Sequence, residues 1–120
     1  MKNLSNPVVE KSFSFSVRIV KCYKYLVKKD KDLRSLYNQL LDSGTSIGAN
    51  IAESQAAASK TDFRNKLRIS LKEAYETEFW LKLFFETEIL DDKEFQSLSE
   101  DCLELIKLLT SIIKNVKIKS

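Results

Sequence analysis

The chain has 120 residues, 43% of them hydrophobic and 31% charged, so it is long enough to bury the core of one domain. It contains no histidine, which excludes a histidine general base, the serine and cysteine triads that need one, and the Glu-x-x-His ligand sets of di-iron bundles. The formal net charge of +3 makes it only mildly basic.

Glycine and proline are scarce, which predicts long helices. The chain has two glycines and one proline, Pro7, so residues 1–6 are expected to be irregular and residues 7–120 to form one domain. No segment resembles a signal peptide, and the longest apolar runs are interrupted by Lys82 and Lys107. We therefore expect a cytoplasmic protein with no membrane contact.

The first predicted helix begins near Pro7, with Asn6 as its cap, and ends around residues 29–32. Its apolar residues form two adjoining rows at helical spacing: Phe13, Val17, Val20 and Tyr23, and Phe15, Ile19, Cys22 and Leu26. The two cysteines, Cys22 and Cys102, are too few and too far apart for a zinc site or a disulfide framework, so both are interpreted as small apolar fillers.

The second helix carries a stripe of small residues. Gly44, Gly48, Ala52 and Ala56 recur every four residues, and Ile47 and Ile51 flank them. A glycine inside a helix costs about 1 kcal/mol relative to alanine, so we expect a neighbouring helix to approach closely and recover that cost. The neighbour could belong to another subunit or to the same one.

The third and fourth helices are marked by caps and apolar repeats. Ser59 and Asp62 form a weak capping box for the third, and Asp91 or Asp92 begins the fourth. The fourth has a heptad seam: Phe95, Leu98, Cys102, Leu105, Leu109, Ile112 and Val116. Four helices of similar length with short connections predict an all-α, up-down-up-down four-helix bundle.

The run from Phe79 to Phe85 is apolar all round the helix except at Lys82, which is more than a lone bundle needs. We interpret the surplus as a contact with another subunit. The alternative is a wide core contact with Trp80 half exposed. The candidate residues of the oligomer interface are Gly44, Gly48, Ala52, Phe79, Trp80 and Phe84.

Charge is unevenly distributed along the chain. Residues 1–72 hold 14 Lys and Arg against 6 Asp and Glu, residues 73–104 hold 2 against 11, and residues 105–120 hold 4 against none. In the predicted bundle the basic segments meet at one end, where a phosphate backbone is a plausible partner. The candidate nucleic-acid contacts are Lys60, Arg64, Arg68, Lys72, Lys114 and Lys117. The alternative is a solvated basic face.

No aromatic residue is interleaved with these cations in the sequence, so no platform for single-stranded bases is predicted. A carboxylate cluster of Glu53, Glu73 and Glu76 lacks the imidazole ligands of a metal site, so we expect no metal, no cofactor and no catalytic residue. Asn50 and Glu53 are expected to form a buried polar network between helices, and the alternative is that they bind a ligand or partner.

Several segments resemble one family. They are Ser43 to Glu53, Asp62-Phe63, Lys66-Leu67, Leu71 to Ala74 and Glu76 to Leu81. In these the chain is similar to the bacterial four-helix-bundle proteins encoded in intervening sequences of 23S ribosomal RNA genes. It departs from that pattern at Asp42, where a basic residue is expected, and at Ser54, where glycine or another small residue is usual.

The resemblance implies a ring-shaped homopentamer. It also implies a relationship to the accessory proteins of diversity-generating retroelements, which associate with a reverse transcriptase and nucleic acid. The sequence thus favours a non-enzymatic, homo-oligomeric adaptor that binds RNA or DNA, or a nucleic-acid-processing protein. The alternative is a structural assembly module that binds a protein partner and has no nucleic-acid role.

Overall fold

A computed structural model describes residues 6–117, and the regular structure in that part of the chain is entirely α-helical. Four helices follow one another: α1 (Asn6–Lys29), α2 (Arg34–Ser54), α3 (Lys60–Glu86) and α4 (Asp92–Asn115). The predicted irregular start, residues 1–6, lies outside the described residues except for Asn6, with which α1 begins. Within residues 6–117, no helix combines the length and apolar character that crossing a membrane requires.

Side-chain caps fix where two of these helices begin. The Ser59 hydroxyl accepts a hydrogen bond from the Asp62 backbone N–H at 3.0 Å, and the Asp62 carboxylate accepts one from the Ala58 N–H at 3.3 Å. The Asp91 carboxylate accepts from the Glu94 N–H at 2.7 Å, so α4 begins after Asp91. Both caps lie where the sequence predicts them.

One hydrophobic core receives side chains from all four helices. The buried members include Ile19 of α1, Ile47 of α2, Leu67 of α3 and Leu109 of α4. The heptad seam of α4 supplies fully buried Cys102 and Leu105, and Ile112 and Val116 pack against the core from its edge.

Hydroxyl groups join α2 to α3 inside this core. The Ser70 hydroxyl donates to the Ile47 carbonyl at 2.8 Å, and the hydroxyl oxygens of Thr77 and Ser43 are 3.1 Å apart. All three hydroxyl-bearing residues are buried. Ser43 of α2 meets Thr77 of α3, whereas Ile47, further along α2, meets Ser70, which is earlier in α3. The two helices therefore run in opposite directions at these contacts.

The predicted buried network at Asn50 and Glu53 is wrong. Asn50 is half-buried and donates to the Ser46 carbonyl of its own helix at 2.8 Å, and Glu53 is exposed and pairs with Lys66 at 3.1 Å. A carboxylate buried without a full set of partners would be costly, so the smaller hydroxyls occupy the interior instead.

The glycine stripe of α2 packs against α1 of the same chain. A Cβ atom added at Gly44 would lie 2.8 Å from Cγ1 and Cγ2 of Ile19, and one at Gly48 would lie 3.0 Å from the Ser12 carbonyl oxygen. Ala52, one turn further along, is exposed. The two glycines therefore serve packing within one subunit, which is the alternative that the sequence left open.

The segment from Phe79 to Phe85 is used mostly inside the subunit, with Trp80 half-buried, as in the alternative that the sequence left open. Leu81 and Phe84 are buried in the core, and Phe85 stacks on Phe95 of α4 with ring centroids 4.4 Å apart. A helix packed between two neighbours needs a wide apolar face, so most of this run is used inside the subunit. Phe84 thus has no exposed surface to offer a second copy, whereas Phe79 is 57% exposed.

Candidate nucleic-acid interface

Four of the predicted phosphate contacts follow one another along α3. The row contains a cation at every fourth position: Lys60, Arg64, Arg68 and Lys72. Each side chain is therefore rotated by only about 40° around the helix axis from the one before it. Three of the side chains are exposed, and Arg64 is half-buried. They lie away from the buried face of α3, whose residues are Phe63, Leu67, Ser70, Ala74, Thr77, Leu81 and Phe84.

None of these four cations forms an ion pair within residues 7–117. The ion pairs there join Lys11 to Glu104, Arg18 to Asp101 and Lys66 to Glu53. Lys66, although it lies on the same helix, is therefore neutralised by α2, while the row of four stays available for an external anion.

Contacts between α3 and α4 show which further cations lie near this row. The Cys102 thiol donates to the Ala74 carbonyl at 3.3 Å, and Phe85 stacks on Phe95, so the register runs in opposite directions along the two helices. Extended by the helical rise, this register brings Lys114 level with Arg64, and Lys117 follows two residues after α4 ends at Asn115. Both lysines are exposed. Lys114 therefore lies at the level of Arg64, whereas Arg68 and Lys72 continue along α3 away from the end of α4.

A carboxylate region borders the row on the α2 side. Burial raises the pKa of Glu73, the neighbouring Glu76 raises it further, Lys72 lowers it, and Asp42 of α2 adds a smaller raising effect. The Glu76 carboxylate also accepts a hydrogen bond from the Trp80 indole N–H at 3.3 Å. These groups limit where a phosphate backbone can lie on α3.

Two exposed aromatic residues follow the basic row. Tyr75 and Phe79 are 54% and 57% exposed and follow Lys72 at helical spacing. The sequence assigned Phe79 to the oligomer interface and gave Tyr75 no role, and both lie beyond Lys72 rather than between the four cations of the row. Their spacing of three and seven residues from Lys72 was the available signal, but the apolar run to Phe85 suggested that this part of α3 faced protein rather than solvent.

The described residues hold no group of three or more potential metal-ligating side chains. Burial raises the pKa of the Cys22 thiol to about 11 and that of the Cys102 thiol to about 12, so both stay protonated near neutral pH. A cleft of about 250 Å³ between α1 and α4 is lined by Arg18, Lys21, Cys22, Tyr25, Glu94 and Leu98. That set contains no activated nucleophile.

One of the two apolar rows of α1 is exposed. Phe13, Val17 and Val20 are 69%, 39% and 40% exposed and lie on one outward-facing side of the helix. The sequence placed them beside the core row that contains Phe15 and Ile19, because the two rows adjoin on the helix surface.

Comparisons with known proteins place the chain in a family. No curated protein matches it. A 1.70 Å crystal structure of a protein with unknown function from the S23 ribosomal protein family of Bacteroides thetaiotaomicron is similar, with 51% sequence identity and a TM-score of 0.87. The match covers 90% of this chain and 99% of the other. The family model described as 23S rRNA-intervening sequence protein matches residues 5–111. The chain therefore belongs to the 23S rRNA-intervening sequence protein family.

Proposed function

We propose that this protein is a non-enzymatic adaptor that binds the phosphate backbone of nucleic acid along α3 and the end of α4. The observation that carries the proposal is the row of Lys60, Arg64, Arg68 and Lys72, none of which forms an ion pair in the described part of the chain. Lys114 and Lys117 widen the row at one end. Phosphate contacts of this kind give affinity that does not depend on sequence.

The absence of histidine and the raised thiol pKa values support a role without catalysis. We place the protein in the cytoplasm and propose that residues 7–117 form one up-down-up-down domain; the last three residues of the predicted domain, 118–120, lie outside the described residues. Contacts between neighbouring helices support this topology, because along each pair a later residue of one helix meets an earlier residue of the other. Tyr23 bonds Asn38 while Ser12 lies beside Gly48, Ser43 bonds Thr77 while Ile47 bonds Ser70, Ala74 bonds Cys102 while Phe85 stacks on Phe95, and Lys11 pairs with Glu104 while Arg18 pairs with Asp101.

The proposal includes a homo-oligomer. Phe13, Val17 and Val20 leave an apolar row in solvent on α1, and we assign this row to the contact between copies. A closed ring, which the family resemblance implies to be a pentamer, would repeat the basic row in every subunit. Linked contacts raise avidity without any new chemistry, so weak binding by one subunit becomes useful binding by the ring.

Charge reversal with a matched control tests the proposal. The double variant Arg64→Glu and Arg68→Glu should abolish retention on RNA and DNA at about 50 mM salt, and wild-type affinity should fall steeply towards about 200 mM. The control is Lys24→Glu with Lys28→Glu, which removes the same charge from exposed positions of α1. If both double variants lose binding equally, only net charge matters, and the α3 row is not the site.

A second candidate is a structural assembly module whose partner is a protein. The exposed row on α1 favours it, because the same apolar side chains could receive a different protein. A nucleic-acid-processing enzyme is the partner class that the family resemblance implies. Wild-type protein that binds neither RNA nor DNA at low salt would leave this second function as the supported one.

A further inference from the structure

The outward side of α3 carries cations and aromatic rings in alternation beyond the basic row. Arg68, Lys72, Tyr75, Phe79 and Lys82 are separated by four, three, four and three residues. Side chains at these spacings are neighbours on one side of a helix. The strip extends for about 21 Å along the axis, given a rise of 1.5 Å per residue.

Both aromatic rings in this strip are open to solvent. Tyr75 is 54% exposed and Phe79 is 57% exposed. Phe79 meets the Trp80 ring edge to face, with centroids 5.0 Å apart, which supports its position from one side. Neither ring belongs to the hydrophobic core. An aromatic side chain on a regular helix has few rotatable bonds, so it loses little conformational freedom when a ligand binds to its ring.

The cations in the strip are also free of ion pairs in the described part of the chain. Arg68, Lys72 and Lys82 are exposed, and none of them forms an ion pair within residues 7–117. Each ring therefore has a free positive charge within one helical turn. A ligand that suits this alternation has a regular series of negative charges and flat faces between them.

We propose that this strip binds single-stranded nucleic acid, with bases stacking on Tyr75 and Phe79 and phosphates held by Arg68, Lys72 and Lys82. The inference rests on the proposed function and names its ligand class. A duplex keeps its base faces stacked inside, so it can use only the cations, whereas a single strand can use both parts of the strip. Glu76 and Glu78 flank the strip on its two sides and Glu86 lies one turn beyond Lys82, so a strand must follow the line of the cations and end near Lys82.

The protein contains its own reporter for stacking. Trp80 is the single tryptophan of the chain, and it touches Phe79. We expect a mixed-sequence single-stranded oligonucleotide to change the Trp80 fluorescence on titration, and the corresponding duplex to change it little. Binding of both is measured in parallel by fluorescence anisotropy at about 50 mM salt.

The variants Tyr75→Ala and Phe79→Ala should each weaken single-strand binding about 10-fold and leave duplex binding and the salt dependence unchanged. The conservative change Phe79→Tyr should keep most of the affinity, because it keeps the ring. Tyr25→Ala is the matched control, since Tyr25 is a 50% exposed tyrosine on α1, away from the strip. It should bind like wild type.

Four results would overturn the inference. Wild type that binds single strands no more tightly than duplex lacks the stacking surface. A second such result is normal binding by both alanine variants together with lost binding by the double variant Arg64→Glu with Arg68→Glu. It would support the proposed phosphate contacts and refute base stacking. A fall in oligomer mass on Phe79→Ala, measured by light scattering, would show that this ring contacts a second copy instead. If wild type binds neither nucleic acid, the proposed function fails and the inference fails with it.

Discussion

Gly48 lies where α2 crosses the backbone of α1, and replacing it with leucine is expected to destabilise the protein strongly. A Cβ atom there would lie 2.9 Å from the Ser16 hydroxyl oxygen and 3.0 Å from the Ser12 carbonyl oxygen. The Ser16 side chain can rotate away, but the Ser12 carbonyl is part of α1. Even one added carbon therefore requires α1 to shift.

The size of the effect follows from two opposing terms. Alanine gains about 1 kcal/mol over glycine in helix propensity, and overpacking typically costs about 1 to 3 kcal/mol, so Gly48→Ala should lower the free energy of unfolding by about 0 to 2 kcal/mol. Leucine must separate the helices further, so Gly48→Leu should cost about 3 kcal/mol or more. At about 4 °C per kcal/mol for a domain of this size, its melting temperature should fall by about 12 °C.

The fall in melting temperature is measured by thermal unfolding followed by circular dichroism. All variants are compared at one protein concentration, because the melting temperature of an oligomer depends on concentration. Ala49→Leu is the matched control, since Ala49 is the exposed neighbour of Gly48 on the same helix. It should melt within about 2 °C of wild type. If Gly48→Leu melts like Ala49→Leu, the close approach of α1 and α2 is not what holds them together.

Gly44 offers an independent check on the same reasoning. Its added Cβ would meet Cγ1 and Cγ2 of Ile19, both at 2.8 Å, and this isoleucine is fully buried. Gly44→Ala should be destabilising in the wild-type background and less so, or stabilising, when Ile19→Ala makes room. A double-mutant cycle with no coupling between the two sites would contradict the packing argument.

Three further predictions concern the thiols, the oligomer and the carboxylate region. Because burial raises the pKa of Cys22 to about 11 and of Cys102 to about 12, both thiols should resist alkylation in the folded protein near pH 8 and react fully in denaturant. Phe13→Glu should reduce the solution mass measured by light scattering, because it charges the exposed row of α1; an unchanged mass places the contact elsewhere. Glu73→Gln should raise the melting temperature at neutral pH, because burial and Glu76 raise the pKa of Glu73 and disfavour its ionised form in the folded state. That gain should vanish as the pH falls through the raised pKa and the wild-type carboxyl becomes protonated.

The helices and their starting points could be predicted from the sequence because local chemistry determines them. Ser59 and Asp91 cap their helices through hydrogen bonds to N–H groups three residues ahead, which requires no knowledge of the rest of the fold. The core seam of α4 likewise follows from the spacing of residues such as Cys102 and Leu109. Periodicity reveals which side of a helix is apolar, and that is enough for a four-helix core.

Periodicity does not reveal which helix lies against a given face. The small stripe at Gly44 and Gly48 suits a neighbour in the same chain as well as one in another subunit. Phe84 and Phe79 differ by little more than one turn, yet one is buried and the other is open because α2 and α4 flank α3 on particular sides. That information comes from the packing of the whole chain.

The buried polar groups show a second limit. Thr77 donates to the Glu73 carbonyl at 2.8 Å, and Ser54 donates to the Ile51 carbonyl at 2.6 Å, so each hydroxyl is satisfied by its own helix and can enter the core at low cost. From the sequence, the buried polar network was predicted at Asn50 and Glu53 because their polar groups are larger, and the small hydroxyl residues were overlooked. A long polar side chain needs partners from several elements, and here it stays near solvent.

The candidate site was predicted in part, because charge can be counted from the sequence while pairing cannot. Lys66 and Arg68 are equivalent by composition, but Lys66 pairs with Glu53 and Arg68 does not pair within the described residues. The unpaired cations of α3 form a row that continues into Tyr75 and Phe79. The ion pairs of the structure therefore show which cations lack an acidic partner in the described residues, which net charge alone does not.

The division of α3 into a basic and an acidic half also limits how a nucleic acid can lie on it. Beyond Lys82 the helix ends at Glu86, the connection to α4 contains Glu88 and Asp91, and α4 begins with Asp92; all four carboxylates are exposed. Phosphates would be repelled there, so a strand held by the proposed strip must leave α3 near Lys82. One subunit then offers a short footprint of a few contacts, each of which is individually weak in salt. Useful affinity therefore requires several copies of the strip on one strand, which connects the proposed binding to the proposed ring.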